Sequence, residues 1–140
     1  MITPHIFKLR IYIEDTDAGG IVYYANYLRF AERARTEAMR ALGVPHAEMI
    51  AQHGRMFVVH RINLVYHRAA RLDDEITVKT HILNVNGASL QLRQEFCRDS
   101  DSLGVLEVSL GCVSRDNGRA ARIPAAYAVG LRAGLSAGVA

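Results

Sequence analysis

The 140-residue sequence holds no apolar run that approaches the ~20 residues of a membrane span. Its start, Met1-Ile2-Thr3-Pro4-His5, lacks the basic region and apolar stretch of a secretory signal. The expectation is a soluble cytoplasmic protein. Cysteine is scarce: Cys97 and Cys112 stand far apart, each inside an apolar, strand-like run. That argues against a disulfide or a metal pair and for buried free thiols. Lysine is scarce too. The net charge of +3 is carried by scattered arginines rather than a massed basic patch, so no nucleic-acid partner is expected; a few of these arginines could meet a nucleotide phosphate. The Gly-x-Ser-x-Gly, P-loop and Rossmann strings are all missing. His53, His60 and His67 recur every seven residues, but they span a turn and a strand and share no helix face. No histidine pair has zinc-site spacing, and His60 reads as a satisfied strand histidine. Neither metal nor cofactor is expected.

What is present is enough for one domain over residues 1–140 with a real core, since half of the chain is hydrophobic. Residues 5 to 14 alternate, with Phe7, Leu9, Ile11 and Ile13 on one side, as a half-buried strand does. Residues 23 to 42 carry a helical period: Tyr27, Ala31, Ala34, Ala38 and Ala41 fall on one face, and Gly43 and Pro45 stop the helix. The alanine stripe lets a sheet curl closely around it. Residues 46 to 53 read as a short second helix closed by Gly54. Four strand-like stretches follow, at 56–67, 75–85, 88–98 and 104–115. In the first, Val58, His60, Ile62, Leu64 and Tyr66 alternate against Phe57, Val59, Arg61, Asn63 and Val65. Asn86-Gly87 is the strongest hairpin signal between strands. Pro124 precedes an Ala/Gly-rich tail; 126–140 is expected to be loosely ordered, with a short helix that frays. Strands joined by tight turns are antiparallel, so the layout is α+β: one long helix wrapped by a curled five-stranded antiparallel sheet. An open edge or the uncovered face should pair with another subunit.

Residues 12 to 27, YIEDTDAGGIVYYANY, hold the chemistry. Two carboxylates, Asp15 and Asp17, precede Gly19-Gly20, and the helical period opens near Tyr23. A glycine turn lets backbone approach a ligand. The first N–H groups of a helix lack internal partners and carry partial positive charge, so they can stabilise an oxygen that becomes negative while a nearby Asp acts as nucleophile or base. On spacing alone the string is more often an Asx turn running into a helix cap. Asp15 reads as a turn residue.

The string YIEDTDAGGIVYYANYLRFAERARTEAMRALG resembles the opening of the acyl-CoA thioesterases of the hotdog fold. The pattern is D-x-D-x-x-G-x-V-Y, then N-Y, then a helix with ERARTE. It is most similar to the branch containing the Tol-Pal-associated thioesterases, and next to the 4-hydroxybenzoyl-CoA thioesterases. FVV at Phe57 to Val59, ARLDD at Ala70 to Asp74 and Ala88-Ser89 match as well, so the likeness covers nearly all of residues 6 to 125. It implies a thioester hydrolase that acts on an acyl-CoA of short-chain or aromatic type, 4-hydroxybenzoyl-CoA included. Asp17 matches the family's catalytic carboxylate. Tyr24 falls where a helix-start backbone N–H polarises the thioester carbonyl. Phe57, Val58 and Val59 match the strand that lines the acyl pocket from a neighbouring subunit, and Gly87, Ala88 and Ser89 match the hairpin that meets CoA.

Two departures matter. The residue after Val-Tyr is commonly His in the Tol-Pal branch, and here it is Tyr24, a shift toward the hydroxybenzoyl type. That type places Arg and Lys near the hairpin to hold the CoA phosphates, whereas Asn86, Gly87 and Ala88 stand here. A hotdog dehydratase would need His near the helix start. The competing reading is a non-catalytic hotdog protein, a scaffold or binder of an acyl carrier, and an acyl carrier protein could equally replace CoA as the substrate's carrier. The resemblance implies a homo-oligomer, a dimer at least and a tetramer by expectation, since the pocket strand reaches a neighbour's helix start.

Overall fold

The computed structural model describes residues 3–135. The five strands are β1 (His5–Arg10), β2 (Arg55–Tyr66), β3 (Glu75–Val85), β4 (Ser89–Arg98) and β5 (Asp101–Ser114), and the helices are α1 (Asn26–Ala41), α2 (His46–His53) and α3 (Ala125–Ala133). The strands form one antiparallel sheet in the order β1-β3-β4-β5-β2. α1 lies on its concave face. This is the expected α+β architecture, and it is a hotdog fold.

Alternation decides which face each strand buries. Ile76, Val78 and Ile82 of β3, Leu90, Leu92 and Phe96 of β4, and Leu106, Val108, Leu110 and Cys112 of β5 all point at α1 and are nearly or wholly buried. α1 answers with Tyr27, Phe30, Ala31, Ala34, Ala38 and Met39. The alanines keep helix and sheet close. The opposite sheet face carries Lys79, Arg93, Glu95 and Glu107, with Lys79 opposite Glu95 and Arg93 opposite Glu107 in register.

Several boundaries differ from the sequence pattern for local reasons. β1 ends at Arg10 and a short 3-10 turn (Ile13–Asp15) follows, because the Asp15 carboxylate accepts the Tyr12 N–H at 2.8 Å and bends the chain. α1 opens at Asn26 rather than Tyr23: the Asn26 N–H closes a turn on the Tyr23 carbonyl at 2.9 Å. Residues 23–25 are therefore the approach to the helix. Arg35 of α1 is buried and donates to Gln94 Oε1 at 3.1 Å, while Gln94 Nε2 donates to the Ala31 carbonyl and Thr80 Oγ1. α3 sets Tyr127, Ala128 and Leu131 against the core, and the rest of the expected tail, 136–140, lies outside the described residues.

The alternation expected along β2 is also broken. Val59 pairs with Leu110 but Arg61 pairs with Ser109, so His60 is a bulge. An inserted residue reverses which face the following side chains take. Phe57 and Val59 therefore share the concave face with Ile62, Leu64 and Tyr66, and the single alternation through 56–67 is corrected to two shorter ones.

Candidate active site

The carboxylate-glycine segment folds back on itself. The Asp17 N–H donates to the Ile21 carbonyl, the Gly20 N–H to the Asp17 carbonyl and the Tyr23 N–H to the Asp15 carbonyl, at 2.9, 3.1 and 2.9 Å. Thr16 bridges Val22. Gly20 sits at φ 78°, a value that glycine reaches without Cβ strain. Asp17 Oδ1 accepts the Gly19 N–H at 2.8 Å, so its side chain is steered by an Asx turn while the residue stays exposed. Asp17 thus makes the expected Asx turn, and its carboxylate stays exposed in the segment that leads to α1.

Asp15 has a different job. Beyond its carboxylate on Tyr12, its carbonyl accepts from Tyr23 N–H and Asn26 Nδ2 (2.9 Å each). It ties the carboxylate turn to the first residue of α1. α1 itself starts with no side-chain cap and no acidic residue in its first turn. Tyr24, two residues ahead, has an N–H that meets no acceptor among the described residues.

A second layer holds this corner. Val22 N–H donates to the Ala70 carbonyl at 2.9 Å and Ala70 N–H donates to the Tyr27 hydroxyl at 3.1 Å. Asp74 closes the neighbouring turn: it accepts the Arg71 N–H at 2.9 Å and meets Arg98 Nη1 at 2.6 Å, and that guanidinium also reaches the Ala69 carbonyl. Burial alone would raise the Asp74 pKa, but the Arg71 N–H and the Arg98 cation outweigh it and hold it below the ordinary carboxylate range. A depressed native pKa contributes stability that is present above the unfolded value, about 3.9, and is lost as pH falls through the native one. Asp74→Asn is expected to cost about 1–2 kcal/mol at pH 7. Thermal unfolding of both proteins should show the gap closing as pH falls below the ordinary carboxylate range.

Tyr24 also lines a cleft of about 290 Å³ with Ile21, Tyr27, Tyr66 and His67. Tyr66 was not among the residues singled out from sequence; it lies 42 positions from Tyr24, and no local pattern joins them.

The other predicted residues lie elsewhere in the protomer. Val58 and Ser89 both pair with Gly111, so Phe57–Val59 and the Gly87–Ser89 hairpin share one row at the far end of the sheet. Val58 is eight positions from Tyr66 along β2, about 26 Å at ~3.3 Å per residue. Asp17 and Tyr24 thus belong to one folded-back segment, and Phe57, Val58, Val59, Gly87, Ala88 and Ser89 to one row of the sheet, far from the Tyr66 end of β2 that Tyr24 meets. Val58 and Val59 are half-exposed. Val59 and Phe57 face the helix side with Tyr66, and Val58 the other, the reverse of what unbroken alternation implies.

The hairpin has a cation that its own residues lack. A Cβ on Gly87 would lie 3.3 Å from Arg122 Nη1. Asn86, Gly87, Arg122 and Arg132 line a cleft of about 450 Å³. Among the described residues, neither arginine has a carboxylate partner.

Residues 11–131 match the family model described as thioesterase-like superfamily. The chain belongs to that superfamily. It is 41% identical over 107 residues to a Haemophilus influenzae protein named acyl-CoA thioesterase YbgC, covering 76% of this chain and 79% of the relative. It is 40% identical over 108 residues to the Escherichia coli acyl-CoA thioester hydrolase YbgC, covering 76% and 80%. Among solved structures, a Bartonella henselae protein titled "Probable Thioesterase" superposes with a TM-score of 0.82 at 31% identity, over 86% of this chain and 99% of that one. The family, the fold and the class of enzyme, a thioester hydrolase, agree with the resemblance drawn from the D-x-D-x-x-G-x-V-Y string. Among the described residues, no helix is long and apolar enough to cross a membrane.

Proposed function

We propose that the protein hydrolyses an acyl-CoA thioester to free acid and CoA, with Asp17 as nucleophile or general base and the Tyr24 N–H polarising the carbonyl. The observation that carries this is the pairing of an exposed, steered carboxylate with an unpartnered amide at an uncapped helix approach. A thioester oxygen docked at that amide gains stabilisation as it becomes negative. Its carbon then faces the turn, where Asp17 attacks it directly or deprotonates a water. The Arg122 and Arg132 cleft beside the Gly87–Ser89 hairpin supports a phosphate-bearing carrier such as CoA, since guanidinium forks suit phosphate oxygens.

The site is completed by a second copy of the chain. Among the described residues β2 pairs on one side only, and its free edge is twelve residues long with Val58, Val59, Val65 and Tyr66 exposed. Long apolar edges of this kind template strand pairing. Antiparallel pairing of β2 with its copy about a two-fold near Ile62 carries the partner's Phe57–Val59 row to this chain's Tyr66 end, beside Asp17 and Tyr24. A dimer is therefore the minimum working unit.

The test is thiol release from a panel of short, medium and aromatic acyl-CoAs. Release from at least one is expected. Silence across the panel, with tight binding of an acyl carrier protein, would instead establish the scaffold reading.

A further inference from the structure

We propose that Tyr66 is a positioning residue for this reaction: its hydroxyl holds the Tyr24 carbonyl, and with it the backbone at Tyr24 from which the polarising Tyr24 N–H projects. The inference rests on the thioesterase reading above.

The geometry starts from an orphan carbonyl. In an uninterrupted helix the Tyr24 carbonyl would accept the Leu28 N–H, but that N–H goes to Ala25 at 3.1 Å. The Tyr24 oxygen would be left with water, and its peptide free to rock. Tyr66 takes the oxygen instead, its hydroxyl donating at 2.8 Å. The tyrosine can do this because its ring is anchored. Tyr66 sits edge-on to Tyr27 at 5.3 Å, and Tyr27 is edge-on to Phe96 at 5.2 Å and hydrogen-bonded to Ala70. Across the sheet, Tyr66 stands opposite Gly104, where a Cβ would come within 2.8 Å of the Val65 carbonyl oxygen. Glycine there lets the β2 backbone at Val65 and Tyr66 approach β5 closely.

Holding the Tyr24 carbonyl fixes more than one atom. In a trans peptide the N–H points opposite to the C=O, so the Ala25 N–H is aimed away from Tyr66. The preceding peptide is fixed too, because the Tyr23 carbonyl accepts the Asn26 N–H. Among the described residues, neither the Tyr24 nor the Ala25 N–H has an acceptor. Two adjacent peptide planes are thus locked by bonds to their carbonyls while their N–H groups stay open. Accepting a hydrogen bond at a carbonyl also polarises its amide, so the Asn26 N–H on the Tyr23 carbonyl strengthens the Tyr24 N–H as a donor and Tyr66 does the same for Ala25. Tyr66 acts through this peptide and transfers no proton.

The test is Tyr66→Phe, which removes one oxygen and leaves the aromatic packing. The expected result is a kcat lower by roughly 10- to 100-fold, the cost of a misplaced group, with KM within about two-fold of the wild type. A second readout is the carbonyl stretch of an aromatic acyl-CoA bound to Asp17→Asn. It should lie below the solution value, and adding Tyr66→Phe should move it back up. An unchanged kcat, a KM rise alone, or a stretch that does not move overturns the proposal, even if the melting temperature falls. Wild-type protein that releases no thiol overturns the thioesterase reading itself, so the two failures are told apart by the control. If Tyr66→Phe does not fold, 3-fluorotyrosine at the same position keeps ring and hydroxyl and strengthens the donor; unchanged kcat and stretch in that protein overturn the proposal equally.

Discussion

Asp17→Asn should fold and bind substrate normally yet lose at least ~10²–10⁴-fold in turnover, the scale of a positioned acid, base or nucleophile. The substitution is nearly isosteric. The amide oxygen of Asn can still accept the Gly19 N–H that Asp17 Oδ1 accepts at 2.8 Å, so the Asx turn survives. What is lost is the charge and basicity that either route needs. Asp15→Asn is the matched control, only two positions away. Its contacts are structural, a side chain on Tyr12 N–H and a carbonyl on Tyr23 and Asn26, and Asn preserves all three. Stopped-flow thiol release with circular dichroism on all three proteins checks this. Full activity in Asp17→Asn with a dead Asp15→Asn would reverse the two assignments. A steep loss in Tyr24→Phe would move credit from the amide to the phenol.

Much of this corner was legible because its signals are local. Asp-x-Asp followed by Gly-Gly fixes a turn whose hydrogen bonds span only a few residues. Asn86-Gly87 marks the β3–β4 hairpin in the same way: Asn86 N–H meets the Ser89 carbonyl at 2.9 Å. The alternation of β3, β4 and β5 and the alanine face of α1 gave the layers. What the pattern hid depends on distant partners. The burial of Arg35 has no local signal, since its acceptor Gln94 is 59 positions away. Arg122 reaches the hairpin from a loop after β5. The His60 bulge has no signature in a strand that alternates on either side of it. It nonetheless decides that Val59, and not Val58, shares the helix side with Tyr66.

That last point gives the sharpest check on the shared site. Val59→Glu places a carboxylate on the matched acyl strand, at a half-exposed edge residue where the folding cost is small. Alone it should be nearly inactive, because the charge would lie in the partner's acyl pocket and repel or crowd the acyl group. Mixed with Asp17→Asn, however, the two dead proteins should recover activity. In a hybrid dimer, one site combines the damaged Asp17 with the damaged strand. The other combines an intact Asp17 with an intact strand. Random re-pairing of equal amounts makes about half of the dimers hybrid, each with one of two sites whole, so about a quarter of wild-type activity should return if the two-fold assembly is right. Co-expression, or dissociation and re-pairing, followed by thiol-release assay reads this directly. If each site lay within one protomer, no mixture would exceed the activity of its parts. One chain already separates the two halves: Tyr24 meets Tyr66 at one end of β2, and Phe57 to Val59 stand at the other.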